Sequence, residues 1–188
     1  IGFQAMYSAN HADNAGNVAI GYTALRNNVK GAGNVAIGDE AGRNATGSYN
    51  TFVGFEAGTG GTTSAPFSSG QNNTALGYQA LKAFTTGGAN TAVGFESLKA
   101  VTTGGSNVAI GLQAAEALTT GELNVFIGTD AGIYSTVSNR AVGVGYRALA
   151  RYGLSSTVTG APVAIGFSAG HYATGSTNVF VGYEAGQG

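Results

Sequence analysis

A five-residue phrase, Asn-Val-Ala-Ile-Gly, first complete at Asn17–Gly21, recurs with small changes along the whole chain. The glycines that close its copies are Gly2, Gly21, Gly38, Gly54, Gly77, Gly94, Gly111, Gly128, Gly145, Gly166 and Gly182. Four consecutive steps, from Gly77 to Gly145, are 17 residues each, and the others run from 16 to 23. Self-similarity at a near-fixed short period dictates a repeat architecture before any single residue is considered. A 17-residue unit is too short for a strand–helix–strand unit, which needs about 30 residues. The leucine line of leucine-rich repeats is absent. What remains is an all-β chain, a parallel β-solenoid or β-roll of about eleven coils. Each coil is expected to hold two short strands and two turns. At about 4.8 Å per coil such a stack is roughly 50 Å long.

Counting from the Asn as position 1 gives each place in the coil a role. Position 4 is always apolar, as at Ile20, Leu76, Ile110 and Val181, and position 2 is Val or Thr. Side chains alternate along a strand, so positions 2 and 4 share a face. Their constancy assigns that face to the inside of the coil. Position 3 then points outward, yet it is apolar too: Ala19, Ala36, Phe52, Ala75, Ala92, Ala109, Phe126, Ala164 and Phe180. A strand apolar on both faces is covered on both, so these residues are expected to face another copy of the chain. Position 5 is the glycine bend. Position 6 is mostly aromatic and position 7 mostly polar. Position 8 is Ala in ten of eleven coils, with Ser97 the exception. The Asn at position 1 (Asn17, Asn34, Asn50, Asn73, Asn90, Asn107, Asn124 and Asn178) is expected to form a hydrogen-bonded ladder. Ala141 and Pro162 replace it in two coils and should break that ladder.

Composition excludes several classes. Charged residues are 9% of the chain and the net charge is −1, so there is no electrostatic footprint for nucleic acid or an anionic membrane. No apolar run approaches the ~20 residues of a membrane span. Without cysteine there is neither a disulfide frame nor a thiolate metal site, and no cofactor is expected. The two histidines, His11 and His171, have no evident nucleophile or acid beside them in the pattern, and no enzyme is expected. Residues 7–16, 59–72 and 151–161 lengthen three coils. Solenoid insertions map to surface loops, so Phe67, Tyr152 and His11 are the candidate receptor contacts. At position 7, Glu40 stacked on Glu56 should repel, and Asp130 beneath Arg147 should attract.

Asn73–Gly87 and Asn90–Gly104 resemble the repeats of bacteriophage tail-fibre and related trimeric fibre proteins. They are also similar to the shorter repeats in the heads of trimeric autotransporter adhesins. The resemblance spans essentially the whole chain and implies a parallel homotrimer of β-rolls. It implies residues 1–188 as one repetitive segment of a longer extracellular fibre, on a virion tail or a bacterial surface. Such a rod spaces or presents a region that binds a cell-surface glycan or protein. Coiled-coil heptads, a membrane anchor and a C-terminal chaperone-like domain are not visible in this segment. Two alternatives come from the residues themselves. In-register pairs Thr85/Thr86, Thr102/Thr103 and Thr119/Thr120 suggest an ice-binding solenoid. Half-coils at both ends suggest a self-polymerising filament subunit.

Overall fold

The computed structural model describes residues 1–9, 15–62, 67–154, 160–175 and 177–187. It is a parallel β-solenoid. Ten three-residue strands form one sheet in sequential order: β1 (Val18–Ile20), β2 (Val35–Ile37), β3 (Thr51–Val53), β4 (Thr74–Leu76), β5 (Thr91–Val93), β6 (Val108–Ile110), β7 (Val125–Ile127), β8 (Val142–Val144), β9 (Val163–Ile165) and β10 (Val179–Val181). The register keeps every position on its own copy, as in Val108↔Val125, Ala109↔Phe126 and Ile110↔Ile127. Where an insertion lengthens a coil the register is still kept, with Phe52 against Ala75 across residues 59–72.

Each coil has one strand, not the two expected. The segment after the glycine bend is a chain of turns. Its residues at positions 7 and 9 are left-handed, as at Gln79 (φ 52°), Leu81 (51°), Glu96 (55°) and Leu98 (49°). Such a φ is unfavourable for a residue with a Cβ. Here it aims successive N–H groups in opposite axial directions. Gln79 donates back to the Phe55 carbonyl at 2.9 Å and Leu81 donates forward to Ser97 at 2.9 Å. The turns thus hydrogen-bond from coil to coil as the strands do. The path also differs from a strand in what it buries: the adjacent residues of positions 8 and 9, such as Ala80 and Leu81, both enter the core, where a strand would send them to opposite faces.

The inside and outside of the strand are the reverse of the expectation. Position 3 points into the coil: Ala36, Phe52, Ala75, Ala92, Ala109, Phe126 and Ala164 are fully buried within one chain, Ala19 nearly so, and Phe180 is half-buried against the same core. These residues therefore do not form an inter-chain face. Positions 2 and 4 point out. The physical reason is width. Position 3 faces the buried alanines of position 8, among them Ala24, Ala41, Ala80 and Ala114, and the gap across a 17-residue coil admits small side chains. Two ranks of β-branched residues would not fit there. Ser97, the exception at position 8, keeps its place by donating its hydroxyl to the Ala109 carbonyl at 2.9 Å.

Larger core residues fit where their neighbours are small. Phe126 packs where position 9 of its own coil is Gly132, and a methyl group there would lie 2.5 Å from Phe126 Cε1. Phe52 likewise lies over Gly58 of its own coil and Gly42 of the preceding one, and Phe180 over Gly186 and Gly170. Where position 3 is Ala75 or Ala92, position 9 is the buried Leu81 or Leu98. In these coils the core is filled by one of two pairs, Ala with Leu or Phe with Gly, a trade of volume between positions 3 and 9, whereas Ala109 with Ala115 and Ala36 with Gly42 keep both places small.

Position 12 is a third inward rank, holding Phe84, Val101, Leu118 and Tyr152. Tyr152 is fully buried, which removes it from the candidate receptor contacts. Its hydroxyl finds no hydrogen-bond partner among the described residues, and burial raises the pKa of the phenol. Tyr152→Phe is therefore expected to leave the fold intact and to raise its stability by about 1 kcal/mol, since it removes an unpaired buried hydroxyl. Thermal melts of the two proteins check this; a lower Tm for the variant would place the hydroxyl in a hydrogen bond.

The asparagine ladder is present, and it closes two contacts per rung. In Asn107 the side-chain oxygen accepts from the backbone N–H of Asn124 at 3.1 Å, and Nδ2 donates to the Gly121 carbonyl at 2.8 Å in the same coil. The same clasp holds at Asn34, Asn50, Asn73 and Asn90. Asn124 accepts from the N–H of Ala141 at 3.0 Å, and there the amide rank ends. Ala141 offers no side-chain acceptor to the next rung, and Pro162 has no N–H that needs one. The two exceptions therefore compensate each other. Asn178, beyond the break, is exposed.

Candidate functional site

The outward strand face exposes a continuous row of large apolar side chains. Position 4 exposes Ile20, Ile37, Leu76, Ile110, Ile127, Ile165 and Val181, each between 37% and 67% accessible. Position 2 adds Val18 and Val179 and the half-buried Val35, Val108, Val125, Val142 and Val163. Two residues further along, position 6 stacks aromatic rings up the rod. Phe55, Tyr78 and Phe95 lie nearly parallel with centroids 5.4 and 5.0 Å apart, and Tyr146, Phe167 and Tyr183 repeat the stack at 5.0 and 5.1 Å. Phe3 and Tyr22 begin it at 5.6 Å. The in-register pairing of the strands sets this spacing, so the ladder follows from the backbone. A large apolar side chain presents roughly 150–250 Å², so the exposed fractions make this face about 1,500 Å². The largest apolar patch of an ordinary monomer is about 300–600 Å².

Polar residues interrupt the aromatic rank at two rungs, Asp39 and Thr129, both exposed. Leu112 stands between Phe95 and Thr129 in the same rank, and Thr51, Thr74 and Thr91 replace valine on three adjacent rungs of position 2. The face is apolar throughout its length but not uniform.

A second face carries the charges. A groove of about 650 Å³ runs across several coils, floored by Ala83, Ala100, Ala117 and Ile133 and bordered by Glu40, Arg43, Glu56, Lys82, Lys99 and Glu116. Its charged groups pair with one another. Arg43 bonds Glu40 at 3.0 Å, Lys82 bonds Glu56 at 2.8 Å, and Lys99 bonds Glu96 at 2.5 Å. The anticipated Glu40–Glu56 repulsion is thus relieved by a separate cation on each carboxylate. Burial works against ionisation of Glu56, but hydrogen bonds from Lys82 and Gln79 outweigh it, and its carboxyl is held below the usual value. Burial and the Glu96 charge raise Glu116. The expected attraction of Arg147 to Asp130 is present at 3.2 Å. Among the described residues, no three His, Cys, Asp or Glu side chains cluster as metal ligands.

The remaining sequence candidates are scattered. Phe67 is half-buried. His11 lies outside the described residues. His171 packs on Tyr172 with centroids 4.4 Å apart, and burial, with Arg147 and Arg151 nearby, lowers its pKa. Of the three candidate receptor contacts, then, Phe67 is half-buried, Tyr152 is a core residue and His11 is not among the described residues. The outward apolar face does not stand out in the sequence, because the apolar constancy of its residues assigns them equally well to the interior. The usable signal is steric: a place that accepts only Ala, Gly or Phe is the confined one, while a place that always takes Val, Ile or Leu is not.

No helix among the described residues is long and apolar enough to cross a membrane. No protein-family model, curated protein or solved structure matches the chain.

Proposed function

We propose that this chain is a structural segment of an extracellular trimeric fibre, a rod that spaces or presents a receptor-binding region as phage tail fibres and adhesin heads do. One observation carries the reading: an apolar face about ten rungs long lies on the outside of a single chain. Its area, about 1,500 Å² per chain, is well above the ~800 Å² that each partner contributes to a standard stable interface. The occupant must match a ladder whose rungs repeat at the strand spacing of about 4.8 Å. A second copy of the same chain has that repeat along its whole length. The resemblance of the repeats to trimeric fibres supports three copies, each covering the apolar face of the next. Stiffness follows from strand, turn and asparagine hydrogen bonds that all run along the axis.

The threonine pairs favour this reading over an ice-binding one. Thr85, Thr102 and Thr119 donate their hydroxyls to the backbone of the next coil, at 3.1, 3.3 and 2.9 Å. Only the single rank Thr86, Thr103 and Thr120 is left exposed. This is a narrow strip compared with the apolar face.

The double variant Ile110→Glu/Ile127→Glu tests the assignment. Both side chains point away from the core of their own chain, so the coil should persist. Burying two carboxylates per chain against apolar neighbours should dissociate the assembly. Size-exclusion chromatography with light scattering is expected to show a β-rich species of single-chain mass. An unchanged oligomer would remove this face from the interface.

A further inference from the structure

A face built from one repeated phrase poses a problem of register. If every rung were Val, Ile and an aromatic ring, two copies could pair at any offset of one coil with nearly equal contact. Repetitive strands specify their pairing weakly for this reason. The interruptions on the outward face remove the degeneracy. Asp39 stands in the aromatic rank between Tyr22 and Phe55, in the coil that opens with β2, and is exposed. Further along, Thr51, Thr74 and Thr91 mark three consecutive rungs of position 2, and Thr129 marks one rung of position 6. With copies level, Asp39 meets the same rung of its neighbours and can share water with it. A slip of one coil, about 4.8 Å, sets the carboxylate against the ring of Tyr22 or Phe55 on the adjacent chain. Desolvating a carboxylate against an aromatic face is strongly unfavourable. A single polar residue in an otherwise apolar seam fixes alignment in helical assemblies by the same means.

We propose that the partner for the outward face is a second copy held at zero axial offset, and that Asp39 is the residue that enforces this alignment. The inference rests on the homo-oligomeric reading above. Sequence regularity makes the rod stiff, and Asp39 stops that same regularity from letting the chains slide.

The chain has no cysteine, so introduced thiols report contacts without background. Ile20→Cys and Ile37→Cys stand one coil apart on the outward rank of position 4. Each is made in tagged, distinguishable chains, and the chains are folded singly and as a mixture. Disulfides are then counted by mass spectrometry. Level pairing predicts 37–37 and 20–20 bridges, with mixed 20–37 bridges at under a tenth of the total. Adding Asp39→Phe, which fills that rung with an aromatic ring, is expected to raise the mixed fraction at least threefold while the oligomeric mass stays the same. A mixed fraction indifferent to Asp39→Phe in an intact oligomer would overturn the role of Asp39. An intact oligomer with no disulfide at either position would show that the strand face does not meet itself, which overturns the alignment proposal. A folded monomer in every variant would instead overturn the homo-oligomeric reading beneath it.

Discussion

Gly111→Ala is expected to destabilise the solenoid by about 4 kcal/mol, a large loss against the ~5–15 kcal/mol that holds a native protein together. Two costs combine. The glycine holds φ at 137°, a region that L side chains enter only with strain of roughly 1–3 kcal/mol. A Cβ there would also lie 2.5 Å from the carbonyl oxygen of Gly128, the same position one coil along. That oxygen belongs to backbone tied into the ladder, so it cannot retreat without breaking the neighbouring hydrogen bonds. The equivalent glycine recurs in every coil with φ between 128° and 137°. The substitution should therefore act on the stack and not on one loop. Urea denaturation monitored by circular dichroism measures the loss. A change under 1 kcal/mol would mean that the bend tolerates a side chain and that the invariance of this glycine has another origin.

Asn107→Ala is expected to cost about 3 kcal/mol. Its amide is fully buried in the middle of the ladder. Removing it strands the N–H of Asn124 and the carbonyl of Gly121, and it takes a donor from Asn90 Oδ1. A buried polar group left without a partner costs about 1–3 kcal/mol, and here at least two are left. Asn178→Ala is the internal control. That residue has the same identity and the same place in the phrase, but it is exposed beyond the break at Ala141 and Pro162, and its loss should stay within about 0.5 kcal/mol. Equal effects at the two sites would refute the ladder as the source of stability.

These two predictions rest on features that were legible in the primary structure, and the reasons are local. The spacing of Gly77, Gly94, Gly111 and Gly128 demanded stacked, in-register coils, and the parallel sheet has that order. The asparagine rank was readable because an amide can bond along the axis only if copies stand directly above one another. The failures share one physical root. Hydrophobicity alone assigns a residue to some buried surface, without saying whether the chain's own core or a partner covers it. Ile20 and Ala19 are both apolar, and only the width of the coil decides which one faces inward. Tyr152 sits in an insertion by length, yet it occupies the same inward rank as Leu118 and Val101. Counting from the preceding Asn position would have placed it there. The pairing of Phe126 with Gly132 and of Leu98 with Ala92 was also present in the residues, visible only when two positions are compared within one coil. The turns at positions 7 and 9 were not legible, because Gln79 and Leu81 are not residues that signal a left-handed backbone.

What remains beyond the single chain is what covers its outward apolar ladder. The identity of the partner decides whether this is a fibre. Sedimentation equilibrium of the intact protein over a hundredfold range of concentration measures that most directly. A trimeric rod gives a single species of three chain masses that persists at the lowest concentration, because the apolar face leaves the separated chain with a large exposed patch. A fully β-structured species of one chain mass throughout the range would contradict it.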